Sequence, residues 1–207
     1  MTTTTTSSKK PYTEPPAWHK RLVTQLRAID RDPGLAAACR RGRNKEPLDE
    51  LDMHQPISYV LEGNENTPLA EYVPSWQRDD VIAAVHHTLA LYACHAQSKS
   101  TSVHRDGISL GAAARRLQNA MPSKDGASRR FRAAQGADSM TELTSHVRFL
   151  VSLMRTYNVT LDYVALADAL AAWHTPARRQ SLKRIWGMDF HRTPHKPTDA
   201  NTEPIKE

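Results

Sequence analysis

Cysteine is nearly absent. Cys39 and Cys94 are the whole supply in 207 residues, so no disulfide framework can hold the chain, and a thiolate metal cage would have to borrow histidine or carboxylate ligands. A reducing compartment fits, and a cytoplasmic location is expected. Glycine-rich hairpin turns are missing, and no segment sustains the alternation of β-branched and aromatic residues that strands need. Nowhere do ~18 or more apolar residues run together as a membrane-spanning helix requires, and mean hydropathy is −0.61. The opening "MTTTTTSSKKPYTEPP" lacks the apolar core of a secretory signal. Also absent are GxxxxGK[ST], GxGxxG after a strand, GxSxG and HExxH. Without them, and with no assignable Ser/His/Asp or Cys/His set, a non-enzymatic chain with no cofactor is expected.

What remains is helical periodicity. Trp18, Leu22, Leu26 and Ile29 recur at three and four residues and share one face. Asp32 before Pro33 reads as an N-cap with proline at the first helical position, and Gly42 as a stop after "CRR". Prolines 47, 56, 68 and 74 and Gly63 break residues 46–75 into pieces such as Ile57–Leu61. Ser75 then reads as the cap of a long helix carrying Ile82, Val85, Leu89 and Tyr92. After a polar stretch, Gln97–Asp106, four or five more helices are expected. Ser109 opens one to about Ala120, and Ser128 caps a short one closed by Gly136. Ser139 with Glu142 forms a capping-box pattern ahead of Leu143, Val147, Leu150 and Met154, with Asn158 as a left-handed stop. Asp162 opens the next, and Thr175-Pro176 the last. The fold class is therefore all-α: two small helical bundle domains, 17–100 and 105–192, joined by a short polar linker and flanked by disordered tails at 1–16 and 193–207.

Two acid and histidine clusters invite a metal reading. His86, His87, Cys94 and His95 lie on one helix at spacings unlike those of zinc ligands. Asp79 and Asp80 sit in a first helical turn, where carboxylates stabilise the macrodipole. No metal is expected at either.

The basic groups point elsewhere. The formal net charge is +6 and the sequence pI about 9.5, which favours polyanionic partners through the long-range field. Most of the clustered cations are arginines, whose planar fork binds phosphate oxygens in pairs. Arg41, Arg43, Arg115, Arg116, Arg129, Arg130, Arg132, Arg148, Arg179 and Arg184 all fall at helix positions that leave an apolar face intact, and are expected to contact nucleic-acid backbone without reading bases. In "HTPARRQSLKRIWGMDFHR", Leu182, Ile185, Trp186 and Phe190 form a stripe expected to dock on the Leu166/Leu170/Trp173 helix, leaving the basic flank to phosphate. Trp173, Trp186 and Phe190 are expected in the core, not as base-stacking platforms. The alternative is an adaptor whose basic face meets an acidic protein.

The runs "GISLGAAARRLQ" (Gly107–Gln118), "SRRFRAAQGAD" (Ser128–Asp138), "TELTSHVRFLVSLMRTYNVTLDYVALADALAAW" (Thr141–Trp173) and "ARRQSLKRIWGMDF" (Ala177–Phe190) together resemble the CasB family, the small subunit of the type I-E CRISPR surveillance complex, Cascade. The resemblance covers residues 105–192, and the first half agrees more loosely through Trp18, "ACRRG" and the helix after Ser75. It implies an all-helical, two-domain, non-catalytic protein, present as two copies in a ribonucleoprotein. Its implied partners are the guide-RNA-coating backbone subunits, the large subunit, a second copy of itself, CRISPR RNA and target DNA, with no membrane. Its implied role is to hold target and displaced strands apart in an R-loop. The Thr-rich and C-terminal extensions lie outside the family pattern.

Overall fold

The structure is a computed structural model that describes residues 15–192. Of the two expected tails only Pro15 and Pro16 fall within the described residues. The fold is all-α, with helices α1 (Ala17–Arg31), α2 (Pro33–Arg41), α3 (His54–Glu62), α4 (Arg78–Ala96), α5 (Leu110–Ala120), α6 (Lys124–Gly136), α7 (Met140–Thr156), α8 (Tyr163–Ala171) and α9 (Pro176–His191). Among the described residues there is no strand, only a parallel β-bridge between His104 and Leu161. The chain divides into two compact units, one ending at Ser102 and the other beginning at Val103.

In the first unit α1, α2 and α3 each pack against α4. Trp18, Leu22, Leu26 and Ile29 are buried together on α1, each large apolar side chain contributing about 1.5–3 kcal/mol by leaving water. Asp32 opens α2 as expected, accepting from the amides of Gly34 at 2.8 Å and Leu35 at 3.1 Å. Gly42 does follow the end of α2, but its φ of −66° is right-handed. Its missing side chain serves packing instead, since a Cβ there would overlap Met53 Sδ and stand 3.2 Å from His86 Cε1. α4 is buried on nearly every side from Ala84 to His95, so its stripe of Val85, Leu89 and Tyr92 understates its central position, while Ile82 is only half-buried.

Two expectations here change. Ser75 does not cap α4. It begins a 3₁₀ turn, Ser75–Gln77, closed by the Gln77 amide donating to the Pro74 carbonyl at 2.9 Å, and α4 follows without a side-chain cap. The helical piece within 46–75 is longer than Ile57–Leu61, because Pro56 falls in the first turn of α3, where a missing N–H leaves nothing unbonded. The far end of α3 is capped by Arg21, a buried arginine on α1 that donates to the carbonyls of Val60 at 2.8 Å and Leu61 at 3.0 Å.

In the second unit α5 packs against α6, α7 and α9, and α6 against α7. Residues 103–108 join this unit through backbone pairing: Leu161 N–H donates to Val103 O at 3.1 Å, Arg105 N–H to Leu161 O at 3.1 Å, and Asp162 N–H to Ile108 O at 2.8 Å. Ser109, Ser139 and Asp162 cap α5, α7 and α8 by accepting from Ala112, Glu142 and Ala165 amides. The box at α7 is displaced by one residue, with Glu142 accepting from the Asp138 amide at 3.0 Å. Asn158 is left-handed, φ 55°.

Ser128 is not a cap. α6 begins at Lys124, and Ser128 lies buried inside it, donating to Lys124 O at 3.0 Å and accepting from Gln118 Nε2 of α5 at 2.6 Å. The stripe of α9 is also corrected. Trp186 and Phe190 are buried, but Ile185 is 51% exposed, and α9 lies chiefly along α5 rather than α8. Gly111 is the reason: with no side chain, α5 lets the α9 backbone approach at Trp186. Phe190 stacks on Phe131 of α6 at 4.5 Å between ring centres, and Trp186 on Trp173 at 5.5 Å.

Candidate nucleic-acid interface

An arginine free to meet phosphate must first escape the carbonyls and carboxylates of its own chain. In the first unit Arg41 does not. Its Nε donates to Glu50 at 3.1 Å and its Nη2 to Asp52 at 2.5 Å, and Lys45 holds the other Glu50 oxygen at 2.7 Å. The Glu50 carboxylate is buried, and its bond to Lys45, with help from Arg41, keeps it ionised below the usual carboxylate range. Arg43 is exposed, with Nη1 3.9 Å from Cys94 Sγ.

The second unit sorts its arginines in the same way. Arg115 is half-buried and donates to the carbonyl of Arg192, the residue that closes α9. Arg148 is half-buried on α7. Arg179 donates to the carbonyls of Asp138 at 2.6 Å and Trp173 at 3.5 Å. Its neighbour Lys183 reaches Gly136 O and Asp138 Oδ1, both at 3.1 Å, and holds the Asp138 carboxyl below its usual range. Half of the cationic character of α9 thus closes the turn between α6 and α7. Arg184 is exposed, and its Nη2 donates to Ser181 Oγ at 3.2 Å.

The remaining cations are different. Arg129, Arg130 and Arg132 are exposed on α6, whose buried side is Ala127, Ser128, Phe131 and Ala134. Among the described residues none of the three pairs with a carboxylate. Arg129 and Arg132, three apart, share the outer face, while Arg130 lies over the ring of Phe149 on α7 at 5.5 Å. Arg116 is likewise exposed and unpaired among the described residues. At 100° per residue it lies well round α5 from Gln118, the contact to α6, so it forms a separate basic point.

The residues that match a known family model run from 35 to 191, and the model describes CRISPR-associated protein Cse2. The chain belongs to the Cse2 family. The match reaches well upstream of the segment 105–192 and includes the proline-broken stretch. Among solved structures, CasB from Thermobifida fusca is 25% identical with a TM-score of 0.67, covering 85% of this chain and 98% of that one. A Cse2-family CRISPR-associated protein from Thermus thermophilus is 19% identical with a TM-score of 0.62, covering 83% and 96%. A chain of a CRISPR RNA-guided surveillance complex is 21% identical, also at 0.62, covering 84% and 91%. No curated protein sequence matches the chain.

Within this Cse2 chain the aromatic core is as expected: Trp173, Trp186 and Phe190 are all buried. Phe149 was not anticipated as a surface group. It is 55% exposed, and the signal was present in its position between Val147 and Leu150, off the stripe that buries α7. Met188, 72% exposed, and Ile185 likewise stand on the outer side of α9.

Among the described residues His86, His87, Cys94 and His95 do not form a cluster of potential ligand atoms. His86 is fully buried and bonded through Nε2 to Gly42 O at 3.0 Å. Asp79 and Asp80 occupy the first turn of α4. Potential ligand atoms do approach one another in His104, Asp106 and Asp162, and each of the three residues also bonds within the chain. His104 Nδ1 accepts from the Tyr163 amide at 3.1 Å, so Nε2 carries the proton and faces Asp106 at 3.0 Å. Both Asp162 oxygens accept backbone amides, from Gly107 at 2.8 Å and Ala165 at 2.9 Å. This cluster builds the start of α8. No helix among the described residues is long and apolar enough to cross a membrane.

Proposed function

We propose that this Cse2-family chain is the non-catalytic small subunit of a CRISPR RNA-guided surveillance complex, and that it holds nucleic acid by its backbone to favour the open R-loop. The observation that carries the reading is the α6 surface, where three arginines within four residues are bound to no carboxylate among the described residues. Arg129 and Arg132 supply phosphate contacts, and Arg130 with Phe149 adds a cation and an aromatic face suited to an unpaired strand. Arg116, Arg184 and Arg43 are additional contact points, whereas Arg41, Arg115 and Arg179 serve the scaffold and Arg148 is half-buried. Exchanging a DNA duplex for a guide heteroduplex is nearly balanced in free energy, so backbone contacts of this kind are enough to tip it. The fold shared with a chain of a surveillance complex supports the setting. Its partners are then the other subunits of that complex, a second copy of itself, CRISPR RNA and target DNA. The exposed Ile185 and Met188 suit a protein contact within that assembly.

The test is a salt titration of the full chain with single-stranded DNA. The wild type is expected to show a log–log slope of about −0.7 per phosphate contacted, and replacing Arg129, Arg130 and Arg132 by Gln to make it shallower by about 2. Helical content by circular dichroism stays unchanged. Binding identical to wild type in the triple variant, or no binding by either protein at physiological salt, rejects the reading in favour of an adaptor for an acidic protein.

A further inference from the structure

The first unit contains a cleft of about 390 Å³ that the proposed interface does not use. One wall is the start of α2 with the end of α1, where Ile29, Pro33 and Ala36 make an apolar floor and Arg40 and Asp30 stand at its edge. The opposite wall is the end of α4 and the segment "QSKSTS", Gln97–Ser102. Its size is at the lower end of the range for small-ligand pockets, large enough for one nucleotide and too small for a protein segment of any length.

Three features give the cleft its chemistry. Arg40 lines it and, among the described residues, its guanidinium makes no hydrogen bond or ion pair, unlike Arg41 beside it. Lys99 lines it too, so two cations and the hydroxyls of Ser98, Ser100, Thr101 and Ser102 border one volume. The segment that carries them is held in an unusual shape. Ser98 is left-handed, φ 61°, a conformation that disfavours any residue with a side chain, and the Lys99 amide turns back to the Ala96 carbonyl at 3.0 Å. Ser102 is fixed from behind by the buried Tyr92, whose hydroxyl is 3.1 Å from Ser102 Oγ and donates to Asp30 at 2.7 Å. Local strain of this kind persists where the surroundings over-determine it, commonly at binding sites.

We infer that this cleft takes one nucleotide unit of a single-stranded nucleic acid, with the phosphate between Arg40 and Lys99 and the base or sugar against Pro33 and Ala36. Asp30, with one carboxylate oxygen not used by Tyr92, suits a sugar hydroxyl or a base amino group. The inference shares with the proposed function the premise that the partner is a nucleic-acid strand, but it concerns a different unit and stands or falls by different signals.

The experiment follows backbone amide resonances of the full chain by heteronuclear magnetic resonance while adding, separately, inorganic phosphate, adenosine monophosphate and an unphosphorylated ten-nucleotide single strand. Expected are saturable shifts of Ser98 to Ser102 with the mononucleotide and with the strand, and at least ten-fold weaker mononucleotide binding in the Arg40→Gln and Lys99→Gln variants. If inorganic phosphate binds as well as the mononucleotide, the cleft recognises an anion alone and the nucleotide assignment is overturned. If the strand shifts α6 amides while neither strand nor mononucleotide shifts residues 98–102, the cleft inference fails and the α6 reading stands. If the mononucleotide shifts 98–102 but the strand shifts nothing in either unit, the cleft is a free-nucleotide site, which overturns both the strand-unit inference and the α6 reading.

Discussion

A side chain at Gly111 would begin inside the backbone carbonyl of Trp186. The obstacle is main chain, which cannot rotate away as a flexible side chain could, so α5 and α9 would have to separate. Alanine at a helical glycine ordinarily gains about 1 kcal/mol in propensity, while overpacking a tight helix contact costs about 1–3 kcal/mol. The clash should win here. Gly111→Ala is expected to lower the stability of the second unit by up to about 2 kcal/mol net. Gly136→Ala, with nothing near the added methyl, should be neutral or slightly stabilising. Urea unfolding of both variants decides it, and equal midpoints would show that the α5 and α9 contact is looser than described.

The same contact shows what the sequence could and could not reveal. Local signals were legible because they act over three or four residues: Asp32, Ser109, Ser139 and Asp162 each accept an amide hydrogen bond at the helix start they mark. Signals of the same type at Ser75 and Ser128 misled, since a serine before an apolar run can also sit in a 3₁₀ turn or bond inside a helix. The long-range partners were illegible. Nothing local says that Arg21 reaches the end of α3, some forty residues on, or that Arg41 is claimed by Glu50 and Asp52. The arginine clusters could be counted from the sequence, but which members remain available depends on carboxylates and carbonyls brought close by folding. Ile185 failed as a core residue for a related reason: the helical period fixes its angle from Trp186, not which neighbour packs on that side.

The two basic roles on α9 should separate by mutation. Arg179→Gln removes hydrogen bonds to Asp138 O and Trp173 O, worth about 0.5–1.5 kcal/mol each. It should lower the thermal midpoint with no change in single-strand affinity at a temperature where the protein is folded. Arg184→Gln should leave stability within about 0.5 kcal/mol and weaken binding modestly, in proportion to one lost phosphate contact. The opposite pairing, with Arg179 affecting binding and Arg184 stability, would reverse the assignment of scaffold and surface.

Stability should also fall as the solution is acidified below neutrality, through His86. Burial lowers its pKa beneath the ordinary 6.5, so the folded unit holds it neutral, with Nε2 bonded to Gly42 O. The unfolded chain binds the proton first. Its contribution is therefore complete above about pH 6.5 and is lost as pH drops from there through the lowered folded value, with a slope of at most about 1.4 kcal/mol per pH unit. Glu50, also lowered, adds its own loss further down, below the ordinary carboxylate value of 4.5. Denaturant unfolding at pH 7.5 and 5.5 measures the first effect. A His86→Gln variant, less stable overall, should show a flatter profile across that interval, and an unchanged profile would assign the sensitivity to another group.

The two thiols should differ in the native state although both are free. Cys39 is fully buried, and burial pushes its pKa up to about 12, so at pH 8 both the thiolate and a path to it are lacking. Cys94 is half-buried on α4 with Arg43 Nη1 at 3.9 Å from its sulfur. A disulfide-exchange reagent at pH 8 should therefore count one thiol quickly in the folded protein and both in denaturant, and Cys94→Ser should abolish the quick phase. Because Cys39 lies on α2 against α4, its slow labelling then reports opening of the first unit and should accelerate in the His86→Gln variant. Two thiols reacting at equal rates in the native protein would mean that the α2 and α4 contact opens freely, and would remove the closed wall on which the cleft of the first unit depends.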